Sequence, residues 1–239
     1  MSQHITRREL KQDKFRESIA HGAEAVISHK AFATVLIALV AAIAVAAGTW
    51  RIYAERRNVN AAAALDEATK VYNARIRASS EPAEAGEITY LNDASKLQDA
   101  AAKFTAVADK YPRTNPGQLA RYYAALCLEG LDLHNQALES LKKLEGSSDK
   151  ELAALAQYQA AIIYARTGKA GDAVKIYRAL AEKSSVFVPR GLALLELAGQ
   201  LRATNPKEAA QIYAQIKKEF PDTAIADEAE RSLEALPRS

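Results

Sequence analysis

An alanine-centred phrase repeats four times along this chain and constrains its fold more than any other feature. The alanines are Ala100, Ala137, Ala173 and Ala209, at spacings of 37, 36 and 36 residues. The residues four and seven positions after them are Phe104 and Val107, Leu141 and Leu144, Tyr177 and Leu180, and Tyr213 and Ile216. These offsets place one small and two large side chains on the same face of a helix. The small residue lets a neighbouring helix approach, and the large ones fill the groove between helices.

A second helical pattern precedes three of these helices, at residues 117–131, 149–167 and 189–203. The repeating unit is therefore a helix, a turn and another helix, about 36 residues in all. One such unit cannot bury its apolar face alone, so several must stack to make a core. Residues 223–236 form one further amphipathic pattern, which predicts a capping helix. We expect an all-α solenoid of about four units plus this cap over residues 90–239.

The third unit resembles the tetratricopeptide repeat most closely. It has the family's small, aromatic, glycine, alanine and aromatic residues at the family's spacing: Ala161, Tyr164, Gly168, Ala173 and Tyr177. The second unit has Asp132 where the turn glycine would stand, and the fourth has Thr204 there and Gln200 at the aromatic position. The resemblance covers roughly residues 90–221 and implies a divergent tetratricopeptide-like array.

The resemblance also implies where a partner would bind, because the first helices of tetratricopeptide units line a concave groove. The groove candidates are Tyr122, Glu129, Tyr158, Arg166 and Arg202. Aromatic and arginine side chains are effective anchors for an extended or helical peptide. The alternative is that each of these residues simply packs or faces water.

Residues 31–50 carry no charge and precede the repeats. Twenty residues rising about 1.5 Å each span about 30 Å, the thickness of a bilayer's hydrocarbon core. Trp50 and Tyr53 lie where interfacial aromatic rings are stable, and Lys30 and Arg51 close the two ends. A buried core helix is the rival interpretation, but a helix packed on a protein surface would show a polar face. We therefore predict a transmembrane helix at residues 31–50.

The same segment could instead belong to a cleaved signal peptide. Ala44-Val45-Ala46 would serve as its cleavage site. Thirty residues precede the apolar run, however, which is long for the n-region of a signal peptide, and the run itself is longer than a usual h-region. These lengths favour an uncleaved anchor.

The tail at residues 1–30 is basic, and its cations predict the orientation of the chain. They are Arg7, Arg8, Lys11, Lys14, Arg16 and Lys30. The positive-inside rule places this tail in the cytoplasm and the repeats outside, in the periplasm of a Gram-negative bacterium. Thr6 and Glu9 match a capping box, which predicts that the tail is helical. Such a helix would lie on the inner leaflet, meet a partner or be solvated.

Residues 51–78 are predicted to form a stalk and the first helix of the array. The helical pattern within them covers residues 58–77. Residues 79–89 then break it, with Pro82 and Gly86 inside a polar run. This loop is either a flexible excursion or a contact for a partner.

Motifs of catalysis, metal binding and nucleic-acid binding do not occur in this sequence. The four histidines are scattered, and no phosphate loop, nucleophile elbow or zinc-protease motif is present. The one cysteine, Cys127, lies in an apolar run that predicts burial. The formal net charge is only +3, with no basic stripe along the repeats. We therefore expect a protein that is not an enzyme, has no cofactor and binds no nucleic acid.

An anchor followed by a divergent tetratricopeptide array resembles the YfgM-type family, the ancillary subunit of the SecYEG protein-conducting channel. The resemblance implies protein partners: translocon subunits, a membrane-anchored periplasmic chaperone and exported chains. Two alternatives stay open at this point. Cleavage between Ala46 and Ala47 would favour a periplasmic repeat protein of outer-membrane assembly or the Tol-Pal system. The other alternative is a general scaffold for an envelope complex.

Overall fold

The computed structural model describes residues 30–80, 82 and 86–236, and the fold is an all-α, tetratricopeptide-like solenoid. The predicted tail therefore lies outside the described residues, except for Lys30. The helices are α1 (Lys30–Tyr72), α2 (Asp93–Lys110), α3 (Asn115–Gly130), α4 (His134–Lys142), α5 (Lys150–Arg166), α6 (Ala170–Glu182), α7 (Arg190–Leu201), α8 (Pro206–Glu219) and α9 (Ala224–Glu234). Two short strands, β1 (Arg75–Ile76) and β2 (Thr89–Tyr90), form a parallel pair.

The chain divides into two compact units, Met1–Arg56 and Arg57–Ser239, and α1 contributes to both. In the first unit, large apolar side chains such as Phe32 and Ile37 lie on the surface of α1. The Thr49 hydroxyl donates to the Val45 carbonyl at 3.0 Å, so this polar group has a partner within its own helix. By length and composition, α1 is able to cross a membrane.

In the second unit, α1 ends at Tyr72, so the prediction that the helix continues to Arg77 was wrong. The cause is the pairing of β1 with β2, which uses backbone groups that a helix would need. The Arg77 amide donates to the Tyr90 carbonyl at 2.9 Å, and Arg75 forms an ion pair with Glu87 at 3.3 Å. The strand pair joins the two ends of the segment at residues 77–88, which contains the predicted loop except for Thr89, the first residue of β2.

The repeated phrase forms the core, as its spacing predicts. All four alanines of the phrase are fully buried, and the large residues that follow them are buried as well. Each helix from α2 to α8 packs against the next one along the chain. The three hydrophobic clusters that result belong to α1 to α3, to α3 to α5, and to α5 to α9.

The turns explain two of the departures from the repeat pattern. Gly168 has φ +77° between α5 and α6, and Asp132 has φ +59° between α3 and α4. An aspartate tolerates this left-handed conformation better than most residues, so it replaces the expected glycine. The fourth unit lacks a left-handed residue at this turn. There the Asn205 side chain caps α8 by accepting from the Glu208 amide at 3.2 Å.

A threonine cap begins the helix that follows each tyrosine-proline or phenylalanine-proline pair. Thr114 accepts from the Gly117 amide at 3.1 Å, and Thr223 accepts from the Ala226 amide at 3.3 Å. The predicted capping helix is confirmed as α9, which starts directly after Thr223. Gly117 is needed at its position because a β-carbon there would lie 1.9 Å from the Tyr111 carbonyl oxygen.

Candidate partner-binding surface

Four of the five predicted groove residues lie on first helices of the repeats, and the fifth directly follows one. Tyr122 and Glu129 are on α3, Tyr158 and Arg166 are on α5, and Arg202 follows the end of α7. We call the surface that carries these five residues the first-helix surface.

Glu129 and Arg166 are brought together by the fold. The Arg166 guanidinium donates to the Glu129 carboxylate and also lies 4.0 Å from Asp132. The Glu129 side chain is 15% exposed, whereas that of Arg166 is 54% exposed. A partner carboxylate at this site would therefore have to share or replace the arginine's existing acceptor.

Tyr122 is mostly a packing residue, with only 9% of its surface exposed. Its ring meets Tyr123 edge-on, with a centroid distance of 6.0 Å. Burial, helped by the neighbouring Tyr123 and Tyr72, raises its pKa to about 12. It contributes a neutral aromatic edge to the first-helix surface.

Tyr158 connects α5 to both of the next two helices. Its ring meets Tyr177 on α6 edge-on at 5.9 Å, and its hydroxyl donates to the Glu196 carboxylate on α7 at 3.3 Å. Burial and then the charge of Glu196 raise the pKa of Tyr158 to about 12, so the hydroxyl remains a donor at neutral pH. Glu196 was not among the residues predicted from the sequence. It is the lone acidic residue in the apolar α7 segment, and that signal could have found it.

Arg202 is exposed, and among the described residues it forms no hydrogen bond or ion pair with the other four predicted residues. Burial raises the pKa of the nearby Tyr213 above its ordinary value, and the positive charge of Arg202 offsets part of that rise. The structure thus brings together Glu129 with Arg166, and Tyr158 with Glu196, but joins Arg202 to neither pair.

A cavity of about 690 Å³ lies elsewhere, among α4, α5 and α6. Apolar side chains such as Leu138, Tyr164 and Ile176 line it, together with charged ones such as Glu139 and Lys175. None of the five predicted groove residues lines this cavity. It is therefore a feature separate from the first-helix surface.

A loop between α6 and α7 exposes two adjacent apolar side chains, which were also not predicted from the sequence. Val186 is 78% exposed and Phe187 is 59% exposed. Hydrogen bonds hold the loop in place: Ser185 and Val188 bond to each other, and the Phe187 amide donates to Glu151 at 3.0 Å. The signal in the sequence is an apolar run followed by Pro189, at a position where no helix is predicted.

Side-chain groups arranged to hold a metal ion do not occur among the described residues. Cys127 is fully buried, as predicted, and burial raises the pKa of its thiol to about 12. The thiol is therefore protonated at neutral pH and acts as a small apolar group in the core.

The family model of the tetratricopeptide repeat matches residues 192–223. That range begins within α7, contains all of α8 and ends at the Thr223 cap, so it covers most of the fourth helix–turn–helix unit. No curated protein matches the chain. The family model thus matches the fourth unit. The third unit nevertheless has the residues nearest to the tetratricopeptide pattern at the small, aromatic and glycine positions compared above. The repeat is a protein-interaction fold, so the first-helix surface is a candidate for binding other proteins.

Proposed function

We propose that this protein is a membrane-anchored, non-enzymatic scaffold that assists protein export at the SecYEG translocon. Its partners are translocon subunits, a membrane-anchored periplasmic chaperone and exported chains. The observation that carries the proposal is the combination of a membrane-capable α1 and a tetratricopeptide-like array in one chain. Exported chains emerge from the channel at the membrane surface, so a repeat array anchored there meets them early.

The anchor is the apolar part of α1. Its surface carries large side chains such as Val35, Leu39 and Ile43, each more than half exposed. Leaving such side chains in water costs about 25 cal/mol for each Å² of apolar surface, and a bilayer removes that cost. Mass spectrometry of the mature N-terminus tests the anchor, because cleavage after Ala46 would remove it.

The N-terminus is cytoplasmic and the repeat domain is periplasmic in this proposal. The six cations of the tail support this orientation through the positive-inside rule. Reporter fusions placed after Ser239 test it. Activity of a periplasmic reporter and silence of a cytoplasmic one is the expected result. The opposite pattern would contradict the translocon role.

The first-helix surface is the proposed contact for partners. Photo-crosslinkers at exposed positions of α3 and α5, used in intact membranes, should capture channel subunits. Replacing Tyr158 and Arg166 together with alanine should reduce those crosslinks severalfold while the helical content is unchanged. A matched control replaces Lys142 and Lys175, which line the separate cavity, with alanine. A partner set without channel subunits would contradict the proposed function.

A further inference from the structure

We infer that one end of the repeat array docks on an anionic lipid bilayer. This end is formed by four turns between helices, at residues 110–115, 142–150, 182–190 and 218–224. We call it the turn surface. The exposed Val186 and Phe187 enter the lipid headgroup region, and cations of the four turns meet lipid phosphates. The inference rests on the membrane anchor of the proposed function and adds a second contact with the bilayer, separate from the first-helix surface.

Contacts between successive turns place all four on the same end of the array. The Ser147 hydroxyl, in the second turn, donates to the Gln118 side chain near the start of α3. The Phe187 amide, in the third turn, donates to Glu151, the second residue of α5, at 3.0 Å. The first residue of α7 forms an ion pair with Glu219, the last residue of α8, at 3.0 Å. The turn surface is therefore continuous from the first turn to the fourth.

The apolar pair at the third turn is held in an exposed position. Both Val186 and Phe187 are more than half exposed. Val188, the next residue, is fully buried, and its amide donates to the Ser185 hydroxyl at 3.0 Å. The loop cannot turn the pair inward without giving up the burial of Val188. A phenylalanine and a valine displayed in this way lose their contact with water when they enter a bilayer interface.

The turn surface is also positively charged. Its four segments hold eight lysines and arginines against five acidic residues. Each turn carries an exposed cation that forms no ion pair with another described residue: Arg113, Lys142, Lys183 and Lys218. A lysine or arginine near an anionic bilayer favours binding by a factor of about five. The charge of the turn surface therefore complements lipid phosphates, and the apolar pair lies between cations of the second and fourth turns.

The start of the array keeps the first turn within reach of the bilayer. Arg57, where the second compact unit begins, donates to the Lys110 carbonyl at 2.8 Å, so the first turn lies beside α1. Arg57 follows Trp50, the end of the predicted transmembrane segment, by seven residues. Even a fully extended chain of that length reaches only about 25 Å. Tethering at such a range gives a high effective concentration, so individually weak contacts are sufficient for docking.

The turns at the opposite end of the array lack this combination. They lie at residues 129–134, 166–170 and 201–206, all within the part of the chain that the structure describes. One large apolar side chain, Leu133, is exposed there, and the acidic Asp132 precedes it. The cation Arg166 is already paired with Glu129. A bilayer therefore favours the turn surface over the opposite turns.

The test measures how deeply one position enters the bilayer. The full chain with Val186→Cys carries an NBD fluorophore on the added cysteine, since the native Cys127 is fully buried. It is placed in nanodiscs of phosphatidylcholine, with or without phosphatidylglycerol, that contain doxyl-labelled lipids. Quenching at position 186 should be at least about twofold stronger in the anionic nanodiscs. The matched control, Leu133→Cys, labels an exposed apolar turn position at the opposite end and should show equally weak quenching in both.

Charge variants test the role of the cations. In the labelled chain, Lys183→Gln with Lys218→Gln should lower the ratio of docked to free forms about thirtyfold, because two factors of about five are lost. Lys169→Gln with Lys207→Gln removes the same charge beside the opposite turns and should leave the quenching unchanged. Raising the salt concentration should weaken docking in the unmodified surface, since salt screens exposed charges.

The outcomes separate the inference from the anchor. If the chain incorporates into nanodiscs but position 186 stays in water, the docking of the turn surface is refuted while the anchor stands. Equal quenching in neutral and anionic nanodiscs, or equal effects of the two charge variants, would also refute it. If the chain does not incorporate into nanodiscs at all, the anchor of the proposed function and the inference are refuted together.

Discussion

Glu129 on α3 and Arg166 on α5 form an ion pair between residues 37 positions apart, close to the length of one repeat. The pair therefore joins corresponding ends of two successive first helices. It also occupies two of the residues predicted to contact a partner.

The first prediction concerns how much this ion pair stabilises the array. Arg166 is more than half exposed, so a double-mutant cycle of Glu129→Ala and Arg166→Ala should give a coupling free energy of at most about 1 kcal/mol. Urea denaturation of the four proteins measures it. A coupling of about 3 kcal/mol, the scale of a buried pair, would contradict the prediction.

The second prediction concerns the close approach at the start of α3. Gly117→Ala should lower the free energy of unfolding by about 1–3 kcal/mol, because the new β-carbon meets the Tyr111 carbonyl and the backbone must move. The matched control is Gly199→Ala in α7, where no atom lies within 4 Å of the new carbon. That substitution should stabilise the protein by up to about 1 kcal/mol through helix propensity. Equal changes in the free energy of unfolding for the two variants would contradict the close approach of Gly117 to Tyr111.

The third prediction concerns the repeated phrase. Phe104→Ala should destabilise the protein by about 3–5 kcal/mol, because the ring is fully buried between α1, α2 and α3. Leu133→Ala, at an exposed turn position, should change stability by less than about 0.5 kcal/mol. Chemical denaturation followed by circular dichroism checks both variants.

The fourth prediction concerns the loop between α6 and α7. Replacing Val186 and Phe187 together with serine should change the free energy of unfolding by less than about 0.5 kcal/mol, since both side chains are exposed. Val188→Ala should cost at least about 1 kcal/mol, because Val188 is fully buried in the core. If the serine variant proves as unstable as Val188→Ala, the loop is packed differently from the structure.

The fifth prediction concerns alkaline pH. Tyr122 and Tyr158 have pKa values raised to about 12 in the folded protein, so the folded state keeps protons that the unfolded chain loses near its ordinary tyrosine pKa of about 10. The two tyrosines therefore contribute to the free energy of unfolding below pH 10, and this contribution is lost as the pH rises toward 12. Urea denaturation between pH 8 and about 11.5 should show the loss, and Tyr122→Phe should reduce it. A free energy of unfolding that rises with pH over this range would contradict the prediction.

The sequence by itself determined the repeat architecture. The recurrence from Ala100 to Ala209 specifies which helical faces are apolar and how far apart they lie, and helices with such faces must stack to exclude water. The capping helix and the buried Cys127 followed from the same local patterns. This periodicity depends only on the spacing of residues along the chain, so a single sequence is enough to identify it.

Tertiary structure alone decided where α1 ends and what surrounds Glu196. Arg77 looked helical because local spacing does not encode the pairing of its backbone with Tyr90, which lies beyond the intervening loop. Likewise, Glu196 is only one acid in an apolar helix until α5 and α6 bring Tyr158 and Tyr177 beside it. The local pattern of apolar residues determines how the helices stack. A site, in contrast, depends on side chains that meet only after the helices have packed.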